Sequence, residues 1–156
     1  MISQGDSFYC KACDYRVSYG ESGFFKASQK EKLFFDNTAD WNYWQKAQLE
    51  NKIKNLAKEE LIFTDKEAIL LKGGRLHPLK LYSIGSIELY KDRLMFLGNQ
   101  GKKVEFNLNK IHGLNIQYNR VFEFYYEGSL YRFTFKHRVT SVYKWVEAIN
   151  ITRGNI

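Results

Sequence analysis

The chain has 156 residues, a net charge of +7 and 17% aromatic side chains. That length allows one ordinary domain, or a compact domain with a small appendage, and a real core. No apolar run approaches the roughly 20 residues of a membrane-crossing helix, no signal-peptide core follows Met1, and Cys10 and Cys13 sit too close together to staple a secreted fold. The expected setting is cytoplasmic, with any membrane contact peripheral and on the inner face.

The charge is unevenly spread. Residues 1–62 carry nine Lys/Arg and nine Asp/Glu, whereas residues 63–156 carry fifteen and eight. All the positive excess lies in the C-terminal part. There it attracts anionic surfaces, phospholipid headgroups or nucleic acid, or simply makes a lysine-rich solvated surface.

Residues 7–25 read as a small β-hairpin element. Cys10-x-x-Cys13 beside aromatics is half of a zinc ribbon, since two thiolates on one turn can grip two corners of a zinc tetrahedron. The other half is missing locally. His77, His112 and His137 lie far along the chain, so Asp14, those histidines or a second chain would have to complete a zinc site. A knuckle that packs without metal, or a redox pair, are the alternatives.

Residues 24–36 alternate aromatics with charges and lead into a helix that Asn37, Thr38 or Asp40 can begin. Its body has no proline or glycine. Trp41, Trp44, Gln48/Leu49, Lys52/Ile53 and Leu56 trace a spacing of three and four, which gives one apolar side. The two tryptophans read as packing, in a helix that ties the N-terminal element to the strands beyond it. Three segments result: 1–36 with the Cys pair, 37–62 as connecting helix, and 63–156.

From Leu61 the chain is strand-rich. Segments 67–72, 79–84, 86–90, 93–97, 103–108 and 114–118 are separated by turn residues, with breaks read at Gly73-Gly74, Gly85 and Gly98–Gly101. A hairpin comes next. Phe122, Phe124 and Tyr126 alternate with polar neighbours, and so do Tyr131, Phe133 and Phe135. A Gly128-Ser129 turn would set Phe124 opposite Phe133, Phe122 opposite Phe135 and Tyr126 opposite Tyr131. The period then changes. Thr140 or Ser141 can cap a helix in which Val142, Trp145, Val146 and Ile149 make one apolar stripe.

Seven or eight short antiparallel strands closed by one amphipathic helix form an α+β barrel or sandwich with a helical lid. The strands of 67–136 and the helix around Trp145 resemble the pleckstrin-homology-like (GRAM/PH-like) plan, two bent antiparallel sheets plugged by a C-terminal helix. More broadly, Cys10-x-x-Cys13, GESGFF at 20–25, DWNYWQ at 40–45 and the EFYYEGSLYRFTF hairpin with its YKW resemble the region that follows the catalytic domain in certain bacterial 1-acyl-glycerol-3-phosphate acyltransferases. That family's catalytic signature is His-x-x-x-x-Asp. Here the fifth residue after His77 is Tyr82, after His112 Gln117, and after His137 Val142, so the resemblance implies an accessory part and no catalytic residue.

Other reaction signatures are also missing: there is no P-loop, dinucleotide fingerprint or GxSxG elbow. The pleckstrin-homology resemblance implies an anion site on its first two strands. The matching residues are Lys72, Arg75, His77 and Lys80, with Arg75 able to fork onto a phosphate; Lys91, Arg93, Lys102 and Lys103 sit on other loops. The expected function is a non-catalytic, membrane-proximal accessory domain, contacting anionic lipid headgroups or serving a fused or partner acyltransferase domain. A protein–protein interaction module is the first alternative. A basic nucleic-acid binder is the second, disfavoured because the aromatics occupy core-facing strand positions where bases cannot stack on them.

Overall fold

The computed structural model describes residues 2–9, 15–27, 33–74, 77–118, 120–136 and 140–154. The chain is α+β, with antiparallel sheets and two α-helices. It divides into two compact units, Met1–Gln48 and Leu49–Ile156.

The first unit is more than a hairpin. Strands β1 (Ile2–Gln4), β2 (Ser7–Tyr9), β3 (Arg16–Tyr19) and β4 (Phe25–Ala27) form a four-stranded antiparallel meander. Its small core is Tyr15, Val17 and Phe25, with Phe8, Leu33, Phe35 and Trp41 packed against it. Phe8 meets Phe25 and Trp41 edge-on at 5.7 and 5.9 Å, the geometry that ring quadrupoles favour. Helix α1 (Thr38–Asn55) begins here and is shorter than the 37–62 span read from sequence. Asn37 caps it: its side-chain oxygen accepts from the Ala39 and Asp40 amides at 2.8 and 3.0 Å, satisfying two orphan N–H groups.

The second unit is built on one seven-stranded antiparallel sheet. Its strands are β5 (Phe63–Gly74), β6 (His77–Leu89), β7 (Arg93–Gly98), β8 (Lys103–Asn107), β9 (His112–Gln117), β10 (Val121–Tyr126) and β11 (Ser129–Phe135). The order is β8-β7-β6-β5-β11-β10-β9, so the first strand of this unit joins the last. In a flat sheet, β8 and β10 would be about 24 Å apart at the usual inter-strand spacing. Yet Phe106 of β8 lies 5.1 Å from Phe124 of β10, ring to ring, and 4.8 Å from Tyr131 of β11. The sheet therefore curls until its two halves share one interior.

Helix α2 (Val142–Thr152) closes that interior. Ser141 caps it, its hydroxyl accepting from the Lys144 amide at 3.2 Å. Val142, Trp145, Val146, Ala148, Ile149 and Ile151 are buried, the stripe read from the sequence. The Trp145 indole stacks near Phe122 and Phe135 at 6.2 and 6.1 Å, and meets Phe63 edge-on at 4.5 Å. Its Nε1–H donates to Asp65 Oδ2 at 2.8 Å, and the Thr140 hydroxyl donates to Asp65 Oδ1 at 3.2 Å. One carboxylate on β5 thus holds both the helix entry and its largest side chain.

Three details differ from the sequence reading. The last hairpin turns at Glu127-Gly128, with φ of 47° and 76°, the left-handed pair of a type I′ turn. Phe122 consequently faces Phe133 and Phe124 faces Tyr131. The register moves by two, so every ring keeps its face. Second, β5 runs through Gly73 to Gly74. Third, Gly85 does not break a strand: β6 runs through it, opposite Gly98 of β7. A Cβ on Gly85 would overlap the Leu97 carbonyl oxygen and lie 2.6 Å from Gly98 Cα. Close approach of β7, not a turn, is what requires glycine.

Gly85→Ala is expected to cost about 3 kcal/mol, the upper end for overpacking, read as a lower denaturant midpoint. Asp65→Ala strips a charged acceptor from two donors and is expected to cost about 2 kcal/mol, with red-shifted tryptophan emission; an unchanged midpoint would show that Asp65 does not hold α2.

Candidate functional site

Helix α2 covers the end of the sheet where β5 begins. The β5–β6 hairpin ends at the opposite side, and there the basic residues gather. Lys72, Gly73, Gly74, His77, Pro78 and Lys80, with Ser129 of β11, line an open depression of about 340 Å³. The structure thus brings together three of the four residues expected to bind an anion. The fourth, Arg75, lies outside the described residues, as do Cys10, Cys13, Asp14 and His137.

Local structure explains the cluster. Lys72 and Lys80 are direct cross-strand partners. Lys72 also faces Tyr131, and its ammonium sits 5.3 Å over that ring. Tyr131 is buried, so Lys72 stands on the sheet's inner face at its open end. Lys80, its partner, shares that face. Past a bulge between Leu71 and Leu70, Tyr82 packs against the same core. Lys102, from the β7–β8 connection, lays its ammonium 5.1 Å over the Tyr82 ring and donates to the Tyr82 carbonyl at 3.0 Å. Two lysines on tyrosine faces thus flank Lys80, and no carboxylate pairs with any of the three among the described residues. Cation–π contacts soften the charge without cancelling it.

The other basic residues behave differently. Arg93 is neutralised: it bonds Asp92 at 2.9 Å and Glu59 at 2.7 Å, and lies 4.4 Å over Tyr90. The Glu59 hydrogen bond is the main reason its guanidinium pKa is raised. Burial alone would raise the Asp92 carboxyl, but Lys58 and Arg93 overcome that and lower it. Lys91 donates to the Lys54 carbonyl at 3.1 Å, well away from the hairpin. On the sheet's outer face Glu123 pairs with Arg132 at 2.7 Å, so it is a structural ion pair. Lys144 lies 4.2 Å over Phe63, where desolvation, with Lys52 adding repulsion against the pull of Asp65, lowers its pKa.

Among the described residues no group of three or more His, Cys, Asp and Glu is placed to hold a metal, and no helix is long and apolar enough to cross a membrane. Sequence reasoning left Lys102 unassigned and missed Tyr82, Tyr131 and Ser129; Ser129 and Tyr131 join the site because β11 pairs directly with β5, opposite Gly74 and Lys72, and Tyr82 because it follows Lys80 on β6.

No protein-family model matches the chain, and no curated protein matches it. Among solved structures it is similar to a chain in "The 8S snRNP Assembly Intermediate", 13% identical, with a TM-score of 0.49 over 65% of this chain and 89% of that one.

Like charges directly opposite across two strands are destabilising by a fraction of a kcal/mol. Lys80→Glu, which turns the pair into an attraction, is therefore expected to raise stability by about 0.5 kcal/mol at low salt. Thermal denaturation at low and high salt checks this, the gain shrinking as salt screens the pair.

Proposed function

We propose that this chain is a non-catalytic, membrane-proximal binding protein whose second unit is a pleckstrin-homology-like domain that docks on anionic lipid headgroups. Supporting the fold assignment are two antiparallel meanders, β5 to β8 and β9 to β11, the junction of the unit's first and last strands, and the terminal helix plugging one end. Supporting the ligand class is one observation above all: Lys72 and Lys80 are held face to face with no carboxylate paired to them among the described residues, at the end of the sheet that α2 leaves open. A phosphate or carboxylate group between them would turn their repulsion into attraction. Lys102 and His77 add donors at the rim. The resemblance to the region after the catalytic domain of lysophosphatidate acyltransferases fits the same reading, in which the domain holds lipid-synthesising machinery at its membrane.

The test is sedimentation with vesicles of phosphatidylcholine alone and with added phosphatidylserine or phosphatidylinositol phosphate. Binding is expected only to the anionic vesicles and should fall with salt. At about 1 kcal/mol per basic residue near such a surface, Lys72→Ala/Lys80→Ala together should weaken it by about tenfold or more. Equal sedimentation with neutral vesicles, or a double variant that binds like the parent, would sink the reading.

A further inference from the structure

Strand β6 pairs with β5 from Leu89 to His77, but with β7 only from Leu89 to Gly85. Among the described residues, one side of β6 from Pro78 to Ile84 therefore has no strand neighbour. The Tyr82 carbonyl projects to a side-chain donor, Lys102. Bulges at Tyr82 and between Lys80 and His77 interrupt the strand's alternation here. Lys72 and Lys80 turn their main-chain groups to each other, so it is Leu81, opposite Leu71, that turns its own to the unpaired side. Pro78 has no N–H to offer, and such prolines sit on edge strands. The two faces beside this edge are chemically distinct. On the inner face stand Lys80, Tyr82 and Lys102, with Lys72 behind them. On the outer face are Leu79, Leu71 and Leu81, the last 61% exposed, with Leu97, also exposed, where β7 stops.

We infer that this open edge of β6 accepts an extended acidic peptide as an added strand. Unpaired main-chain groups supply the ladder and alternate side chains supply the choice. Carboxylates at every second position meet Lys80 and Lys102, and aliphatic side chains between them cover Leu79, Leu81 and Leu97. Lys102 releases the Tyr82 carbonyl to the incoming amide and turns its ammonium to a carboxylate. A second copy of this edge is a poor occupant, because antiparallel self-pairing would set Lys80 and Lys102 against the same lysines, the device by which edges resist self-association.

The full chain is titrated with a fluorescent, end-blocked peptide alternating glutamate with valine, at low salt. The controls are the same peptide with lysine for glutamate, and one N-methylated at alternate residues, which keeps charge and side chains but removes ladder donors. Binding of the acidic peptide is expected, weakened about tenfold or more by N-methylation, a loss of about 1.4 kcal/mol or more, and absent for the lysine peptide. Leu81→Lys changes an exposed side chain and leaves Lys72 and Lys80 in place. It should weaken the peptide by a similar factor and leave sedimentation with anionic vesicles intact, which separates this site from headgroup docking. No binding of the acidic peptide, equal binding after N-methylation, or self-association of the chain through this edge would overturn the inference.

Discussion

The hydrogen bond from the Trp145 indole to Asp65 is the constraint on which the second unit is organised. The indole lies flat among Phe122 and Phe135 and edge-on to Phe63, so its apolar body belongs to the same interior as the rings of β10 and β11. A buried indole N–H needs an acceptor. Asp65 supplies it from β5, the strand at the centre of the sheet order. The carboxylate also takes the Thr140 hydroxyl, so the chain entering α2 and the side chain filling the core are registered by one residue. Once α2 is fixed over the start of β5, the far end of that strand is the end left open. The lysine cluster owes its exposure to this.

Curling does the rest. Phe106 touches Phe124, Tyr126, Tyr131 and Phe133, four rings on two strands distant in the sheet order. A sheet bent this far needs points where strands approach more closely than side chains allow, and Gly85 opposite Gly98 is one. Bulges along β5–β6 are others, each adding local bend and twist. Glu67 sits at one of them with φ of 55°, a conformation that residues with a Cβ adopt at some cost. These strained and crowded positions are where the sheet changes direction, and they separate the half that packs against α2 from the half that carries Lys72 and Lys80.

Much of this was legible in the sequence, and the failures have physical causes. The alternation of Phe122, Phe124, Tyr131 and Phe133, and the change of period at Val142, trace burial directly, so strands, helix and core side chains could be read from them. The hairpin register could not, because Gly128-Ser129 and Glu127-Gly128 are both sound two-residue turns; the chain uses the one that needs a left-handed glutamate. Gly85 was misread because a glycine required by a neighbouring backbone looks, in one dimension, like a glycine required by a turn. The strands of the first unit are three or four residues long, too short for alternation to register, so four strands looked like one hairpin. For the site, the clustering of Lys72, His77 and Lys80 stems from a single hairpin and was visible. Lys102 was not assigned, since its approach to Tyr82 depends on how the β7–β8 connection folds back along β6.

The proposed headgroup site and the proposed peptide edge share their cations. Lys80 faces Lys72 across the strand pair and also borders the open edge, and Lys102 caps a carbonyl of that edge while lying over Tyr82. An anion seated between Lys72 and Lys80 draws Lys80 inward, away from an added strand. A strand with carboxylates at alternate positions offers the same lysines an alternative partner, within the distance over which physiological salt leaves charges coupled. Occupancy of one surface therefore disfavours the other through electrostatics alone, with no change of fold. By reciprocity of linkage, whatever the peptide takes from headgroup affinity the headgroup takes from peptide affinity. If both proposals hold, an acidic segment bound along β6 would be released where anionic lipid is dense. The unneutralised lysine pair, a small loss to the fold by itself, is what gives the two ligands a common term to compete for.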